Sequence, residues 1–145
     1  MIYYTPKYFA VQELVDPETF KVLGSTALIL FQAQALWTLD AIRAFYNAPV
    51  IVNNWHVKGH FKYRGYRPAS CNIGAQYSQH RLGNAFDFNC NCKYSSQEIQ
   101  QDIMYNPFRD CYKYITAVEN VGGWVHIDFR NRDKRNLGIL YFNKG

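Results

Sequence analysis

Apolar residues recur at spacings of three and four along a long stretch that begins at Ser25, and this periodicity constrains the fold more than any other feature. Six of them share one helical face: Leu28, Phe31, Ala35, Leu39, Ile42 and Tyr46. The spacing predicts one long amphipathic helix from Ser25 to Tyr46. Asn47-Ala48-Pro49 ends it, because proline pushes the preceding residue out of the helical region. The β-branched run Val50 to Val52 then predicts a short strand packed against this helix.

Two further helices are indicated by their capping residues. Asp16 precedes Pro17, a residue that is well tolerated at the first helical position, and Gly24 ends this short helix after Leu23. Ser95-Ser96-Gln97-Glu98 has the pattern of a capping box and predicts a helix that runs to about Tyr105.

Alternating and β-branched runs predict the strands of one small sheet. The run from Phe86 to Cys92 alternates, and Leu137 to Phe142 predicts an edge strand. Tyr114 to Glu119 and Trp124 to Phe129 flank Asn120-Val121-Gly122-Gly123, which indicates a hairpin. We therefore expect an α+β fold, a small mostly antiparallel sheet backed by one long helix, in a single domain covering residues 1–145.

Composition excludes few functions, but it limits the partners and the cellular compartment that we expect. The net charge of +5 suits an anionic partner, yet the chain has no run of five basic residues, so we expect no nucleic acid partner. The start of the chain lacks the features of a secretory signal, and the apolar run Ala27 to Phe31 is too short to span a bilayer. We expect synthesis in a cytoplasm, no membrane partner, and four cysteines that stay reduced: Cys71, Cys90, Cys92 and Cys111.

Two histidines and one aspartate predict a metal site. His80 and Asp87 are separated by Gly83, whose turn lets both side chains converge, and His126 lies within a predicted strand. Two imidazoles and a carboxylate form a three-ligand zinc set that leaves one tetrahedral position open, as a catalytic site requires. His56 and His60 are a rival pair four residues apart, but Gly59 argues against a helix there and no His-Glu-x-x-His pattern is present.

These residues also resemble a known family, the zinc D-alanyl-D-alanine carboxypeptidases, which includes bacterial cell-wall dipeptidases and phage endolysins. The resemblance runs from about Phe9 to Arg130 and depends on two motifs, Ser78-x-His80-x-x-Gly83-x-Ala85-x-Asp87 and Trp124-x-His126-x-Asp128. It implies Zn²⁺ bound by His80, Asp87 and His126, and the α+β fold of that family.

The resemblance also implies two substrate-binding residues. Ser78 corresponds to a serine near the substrate. Gly65-Tyr66-Arg67 is similar to the Gly-x-Arg segment of the family, whose arginine stabilises the oxyanion, and Arg64 is the competing candidate.

The general base departs from the family pattern. Members of the family place a Glu or Asp three residues before the last histidine ligand, a position that Gly123 occupies here. Glu119 and Asp128 remain as candidate catalytic carboxylates. A two-residue turn at Val121-Gly122 would pair Glu119 with Trp124, on the face of His126. We expect Glu119 to be the base and Asp128 to support a ligand imidazole.

The leading functional hypothesis is therefore a zinc metallopeptidase that cuts peptidoglycan stem peptides. A phage endolysin that waits in the host cytoplasm and a virion-associated lysin both fit this hypothesis, and the sequence does not distinguish an endopeptidase from a carboxypeptidase. The alternative is a phage structural or cell-wall-binding module that keeps the fold without catalysis, for which Gly123 is the reason.

Overall fold

The structure, a computed structural model, describes residues 1–144 and is α+β. Gly145, the last residue of the predicted domain, lies outside the described residues. Within them, four α-helices are α1 Pro17–Leu23, α2 Ala33–Tyr46, α3 Ser96–Tyr105 and α4 Lys134–Leu137. Five strands are β1 Val50–Ile51, β2 Ala85–Cys90, β3 Ala117–Glu119, β4 Val125–Asp128 and β5 Leu140–Phe142.

The strands form one sheet in the order β1-β2-β4-β3-β5. Every neighbouring pair is antiparallel except β3 and β5, which are parallel. The predicted fold class, a mostly antiparallel sheet backed by a helix, is confirmed.

The two faces of the sheet have different roles because side chains alternate along each strand. Phe86 and Phe88 of β2 and Val125 and Ile127 of β4 are completely buried in the hydrophobic core, together with residues of α2 and α3. The intervening positions, Asp87 and His126, face the opposite side and are register partners. The period of two therefore places polar side chains together on one face while the other face forms the core.

The long helix predicted from Ser25 is interrupted. Gly24–Leu30 is a 3₁₀ helix, α2 begins only at Ala33, and the segment Pro17–Leu30 meets α2 at 91°. Phe31 is extended at the break, where its ring stacks on Phe86 with centroids 5.4 Å apart. The N–H of Gln32 donates to the carbonyl of Gly83 at 3.0 Å. The break lets these two residues pack against the segment that carries the predicted ligands.

The capping predictions are confirmed. The carboxylate of Asp16 accepts from the N–H of Thr19 at 3.1 Å at the start of α1. At the start of α3, Ser95 and Glu98 form the reciprocal pair of hydrogen bonds, 3.1 and 3.0 Å long.

The predicted pairing of the β3–β4 hairpin is wrong by two residues. Ala117 pairs with Asp128 and Val118 with Ile127, so that Glu119 comes opposite His126 and not opposite Trp124. The wider loop has its own support, because the Gln100 side-chain amide donates to the carbonyls of Val121 and Trp124, at 2.8 and 3.0 Å. A shift of two residues keeps every side chain on its predicted face.

Two other expectations concern the chain as a whole. Within residues 1–144 no single helix is both long and apolar enough to cross a membrane. Only the bent pair Pro17–Leu30 and Ala33–Tyr46, taken together, has the length and apolar composition of a membrane span. The four cysteines are free thiols, of which Cys71 and Cys111 are buried and Cys90 and Cys92 half-buried.

Candidate metal centre

Three elements bring the predicted ligands together. His80 lies on the 3₁₀ helix Gln79–Leu82, Asp87 on β2 and His126 on β4, and all three side chains are buried. Nε2 of His80 lies 3.3 Å from Oδ2 of Asp87, and Nδ1 of His126 lies 2.7 Å from Oδ1 of Asp87. One ligand atom from each residue lies within 4.8 Å of the other two. Within residues 1–144 this is the only such group of three or more His, Cys, Asp or Glu side chains.

The turn that carries His80 is specified locally. Ser78 caps it, since its hydroxyl accepts from the N–H of His80 at 3.3 Å. Gly83 ends it at a φ of +63°, in the left-handed region. A Cβ at Gly83 would overlap the carbonyl oxygen of Leu30. The glycine is therefore required both by its conformation and by the close approach of another backbone segment.

Hydrogen bonds select a different ligand nitrogen in each histidine. Nδ1 of His80 lies 2.8 Å from the carbonyl of Gly65, which can only accept, so Nδ1 carries a proton and Nε2 is the nitrogen that faces the site. That Nε2 is buried and has no hydrogen-bond partner. Nε2 of His126 donates to Asp128 at 3.1 Å, which directs Nδ1 towards Asp87.

The donor set suits a metal ion. Bonds of about 2.0–2.2 Å at tetrahedral angles would place ligand atoms roughly 3.3 Å apart, as Nε2 of His80 and Oδ2 of Asp87 are. An unpartnered imidazole nitrogen in a buried site is costly unless something binds it. Each ligand histidine also has the second hydrogen bond that is typical of metal-bound imidazoles. The residues present therefore fit a divalent ion such as zinc.

The charges of the metal-free site are strongly coupled. Burial alone raises the pKa of Asp87, but His80 and His126 outweigh burial and hold that pKa far below its ordinary value. Burial lowers the pKa of His126, but the hydrogen bonds to Asp128 and Asp87 raise it to about 9. For Asp128, hydrogen bonds from Arg130 and His126 overcome the effect of burial and lower the pKa. Asp87 and Asp128 therefore stabilise the positively charged imidazole of His126, and the same two carboxylates would stabilise a bound cation.

The two candidate catalytic carboxylates have different surroundings. Asp128 is fully buried and accepts from Nε and Nη2 of Arg130, at 2.7 and 2.5 Å, as well as from His126. Oε2 of Glu119 lies 3.9 Å from Nδ1 of His126, and its side chain lines the cleft above the site. Asp128 is thus engaged in orienting the imidazole, while Glu119 faces the space where a substrate would lie.

The two candidate arginines are also separated. Nη2 of Arg67 donates to Oδ2 of Asp87 at 3.3 Å, and Nε donates to the carbonyl of Tyr63 at 2.9 Å. Arg64 instead donates to Oδ1 of Asn89 at 2.7 Å and does not line the cleft. Of these two candidates, Arg67 is the one that lies at the site.

An open cleft of about 740 Å³ lies over these side chains. Ser78 and the three candidate ligands line it, and the other residues that the argument uses are Arg67, Glu119, Trp124, Asp128, Arg130 and Phe142. The rival histidines, His56 and His60, are exposed and do not line the cleft.

Sequence reasoning missed three groups that act on the ligands. They are the carbonyl of Gly65, the guanidinium of Arg130, and the ring of Phe142, which lies perpendicular to the His126 ring at 5.8 Å. Arg130 could have been found, since it follows Asp128 by two residues. A backbone carbonyl and a ring on a distant strand leave no such signal.

Comparison with known proteins gives one finding. The peptidase M15 family model matches residues 7–128, which include all three candidate ligands and both candidate carboxylates. No curated protein and no solved structure matches the chain.

Proposed function

Because the chain belongs to the peptidase M15 family, we propose that it is a zinc-dependent peptidase that hydrolyses peptide bonds of peptidoglycan stem peptides. The observation that carries the proposal is the buried, unpartnered Nε2 of His80 beside Asp87 and His126. When bound, Zn²⁺ supplies a Lewis acid that polarises the scissile carbonyl and makes water acidic enough to lose a proton near neutral pH.

The residues around the candidate ligands would each have a separate role in catalysis. Glu119, on the cleft side of His126, would take a proton from the attacking water and pass it to the leaving amine. Arg67 would donate to the oxyanion that develops on the scissile carbonyl. Asp128 would keep the proton of His126 on Nε2, and Ser78 would line the substrate wall.

The peptidoglycan substrate is supported by the motifs of the chain. They resemble those of enzymes that cut stem peptides, and the net charge of +5 suits an anionic wall. On the same grounds we propose a phage origin, as an endolysin that acts after release from the host cytoplasm or as a virion-associated lysin.

The test compares His80→Ala with His60→Ala, which removes an exposed imidazole outside the cleft. Bound zinc is measured by mass spectrometry, and hydrolysis is measured as new amino groups released from purified cell walls. We expect zinc and activity in the wild type and in His60→Ala, and loss of both in His80→Ala.

Asp87→Asn is a second variant, which removes the ligand charge with little change in shape, and circular dichroism checks that each variant folds. Hydrolysis that persists in His80→Ala or in Asp87→Asn would overturn the assignment of the site.

A second candidate function is a wall-binding module without catalysis. The observation that favours it is Gly123, which occupies the family's base position with a φ of +89°, a conformation that a Glu or Asp rarely adopts. Such a module would sediment with purified walls and release no amino groups. The peptidase would release them, and Glu119→Gln would stop that release.

A further inference from the structure

The C-terminal strand lies beyond the region that matches the family, yet it forms one wall of the candidate site. β5 covers Leu140–Phe142, whereas the family match ends at residue 128. It pairs in parallel with β3, with Phe142 in register with Glu119. The N–H of Asn120 donates to the carbonyl of Phe142 at 2.7 Å, which fixes this register. Phe142, Glu119 and His126 are thus neighbours across three adjacent strands.

The Phe142 ring contacts two members of the site. It lies perpendicular to the His126 imidazole, with centroids 5.8 Å apart and planes at 90°. The guanidinium carbon of Arg130 lies 4.6 Å from the centroid of the same ring. Both are geometries in which an aromatic ring attracts its neighbour, a perpendicular ring pair and a cation–π contact.

Both contacts act on the imidazole of His126. Arg130 holds Asp128 through two hydrogen bonds, and Asp128 accepts from Nε2 of His126. Phe142 therefore acts on the imidazole directly and also through the arginine and the carboxylate. The two carboxylates fix the nitrogens of the imidazole, and the Phe142 ring packs against the imidazole itself.

We propose that Phe142 is a positioning residue of the metal centre, which holds the His126 imidazole and Arg130 so that Nδ1 of His126 faces the other ligands. The proposal rests on the metal site of the proposed function. It does not require that the substrate is peptidoglycan, and it gives the segment after residue 128 a role in the site.

The test uses three variants of β5. Phe142→Leu removes the ring and keeps an apolar side chain, while Phe142→Tyr keeps the ring. Tyr141→Leu is the matched control, because Tyr141 is on the same strand, is exposed, and does not line the cleft. Each protein is stripped of metal, and the dissociation constant for Zn²⁺ is measured by competition with a chromophoric chelator. The visible absorption spectrum of the Co²⁺ form reports the coordination geometry.

We expect Phe142→Leu to weaken metal binding by about tenfold and to change the Co²⁺ spectrum, as loss of a group that orients a ligand does. Phe142→Tyr and Tyr141→Leu should match the wild type in both measurements. Wild-type affinity in Phe142→Leu, or an equal loss in Tyr141→Leu, would overturn the proposal, since the second result would show a general weakening of β5.

A readout without metal separates this proposal from the proposed function. In the chelator-treated protein, the ring current of Phe142 should shift the imidazole proton resonances of His126, and Phe142→Leu should abolish that shift while Tyr141→Leu keeps it. A wild type that binds no metal would refute the proposed function. Unchanged His126 resonances in Phe142→Leu would refute the positioning role.

Discussion

At the scale of single residues, the position of a carboxylate decides its chemistry. Asp128 and Glu119 both lie near His126, but Asp128 is fully buried and its oxygens accept from Arg130 and His126. Glu119 is partly exposed and lines the cleft. A general base needs a free lone pair that faces the substrate, and of these two carboxylates Glu119 meets that requirement.

Glu119→Gln should therefore lower kcat by about 10²–10⁴-fold while zinc content stays at the wild-type level. Asp128→Asn should instead act on metal affinity. It should weaken zinc binding about 10–100-fold, because the imidazole of His126 loses its orienting carboxylate. Steady-state kinetics and zinc titration of both variants check this contrast. Full activity in Glu119→Gln would mean that another group accepts the proton.

The sequence could identify the three candidate ligands but not which atom of each side chain faces the site. His80, Asp87 and His126 follow from motif spacing, and Glu119 from its position on a strand face. Which nitrogen of His80 faces the site depends on the carbonyl of Gly65, fifteen positions earlier in the chain. A backbone oxygen has no side-chain identity, so no residue pattern could reveal it.

At the scale of elements, close backbone contacts support the site. The turn at Gly83 rests on the carbonyl of Leu30, and the loop at Gly65 rests on the carbonyl of Leu14. A Cβ at either glycine would overlap the opposing carbonyl oxygen. Gly83 ends the turn of His80, and the carbonyl of Gly65 accepts from the His80 ring, so both contacts fix the same candidate ligand.

Gly83→Ala should destabilise the protein by about 2 kcal/mol or more, since alanine is disfavoured at positive φ and its methyl group would collide with the Leu30 carbonyl. Metal affinity should fall as well, because His80 moves with the turn. Gly122→Ala is the control, as a Cβ there meets only the end of the Gln97 side chain at 3.4 Å. Urea unfolding of the metal-free proteins checks the difference, and equal stability of the two variants would contradict the argument.

The residues at which helices and strands begin and end were predicted less well than the side of each strand on which a side chain lies. The shifted hairpin kept Glu119 beside His126 because strand side chains alternate with a period of two, so a slip of two residues changes no face. The break at Phe31 and Gln32 had no sequence signal, because the apolar spacing continues across it. It results from contacts with Phe86 and Gly83, distant residues that local periodicity does not encode.

At the scale of the whole molecule, the α+β class could be predicted because the patterns of α2 and of the central strands β2 and β4 are clear. The sheet separates an apolar core on one face from the polar cluster on the other. The three candidate ligands come from three separate segments of the chain, so a bound ion would link these segments directly. Because the unfolded chain does not preform this site, a free metal concentration roughly a hundred times the dissociation constant should stabilise the native state by about 2.7 kcal/mol.

The stabilisation of the native state by zinc should increase with pH because of His126. In metal-free protein the pKa of His126 is raised from 6.5 to about 9, so its charge stabilises the fold fully below pH 6.5 and this contribution is lost as pH rises through 9. Metal binding at Nδ1 must displace that proton, so it should grow stronger over the same range. The difference in melting temperature between zinc-loaded and chelator-treated protein should therefore widen from pH 6.5 to pH 9. His60→Ala should show the same widening because His60 is exposed and outside the cleft, whereas a constant difference would show that His126 carries no extra proton in the metal-free site.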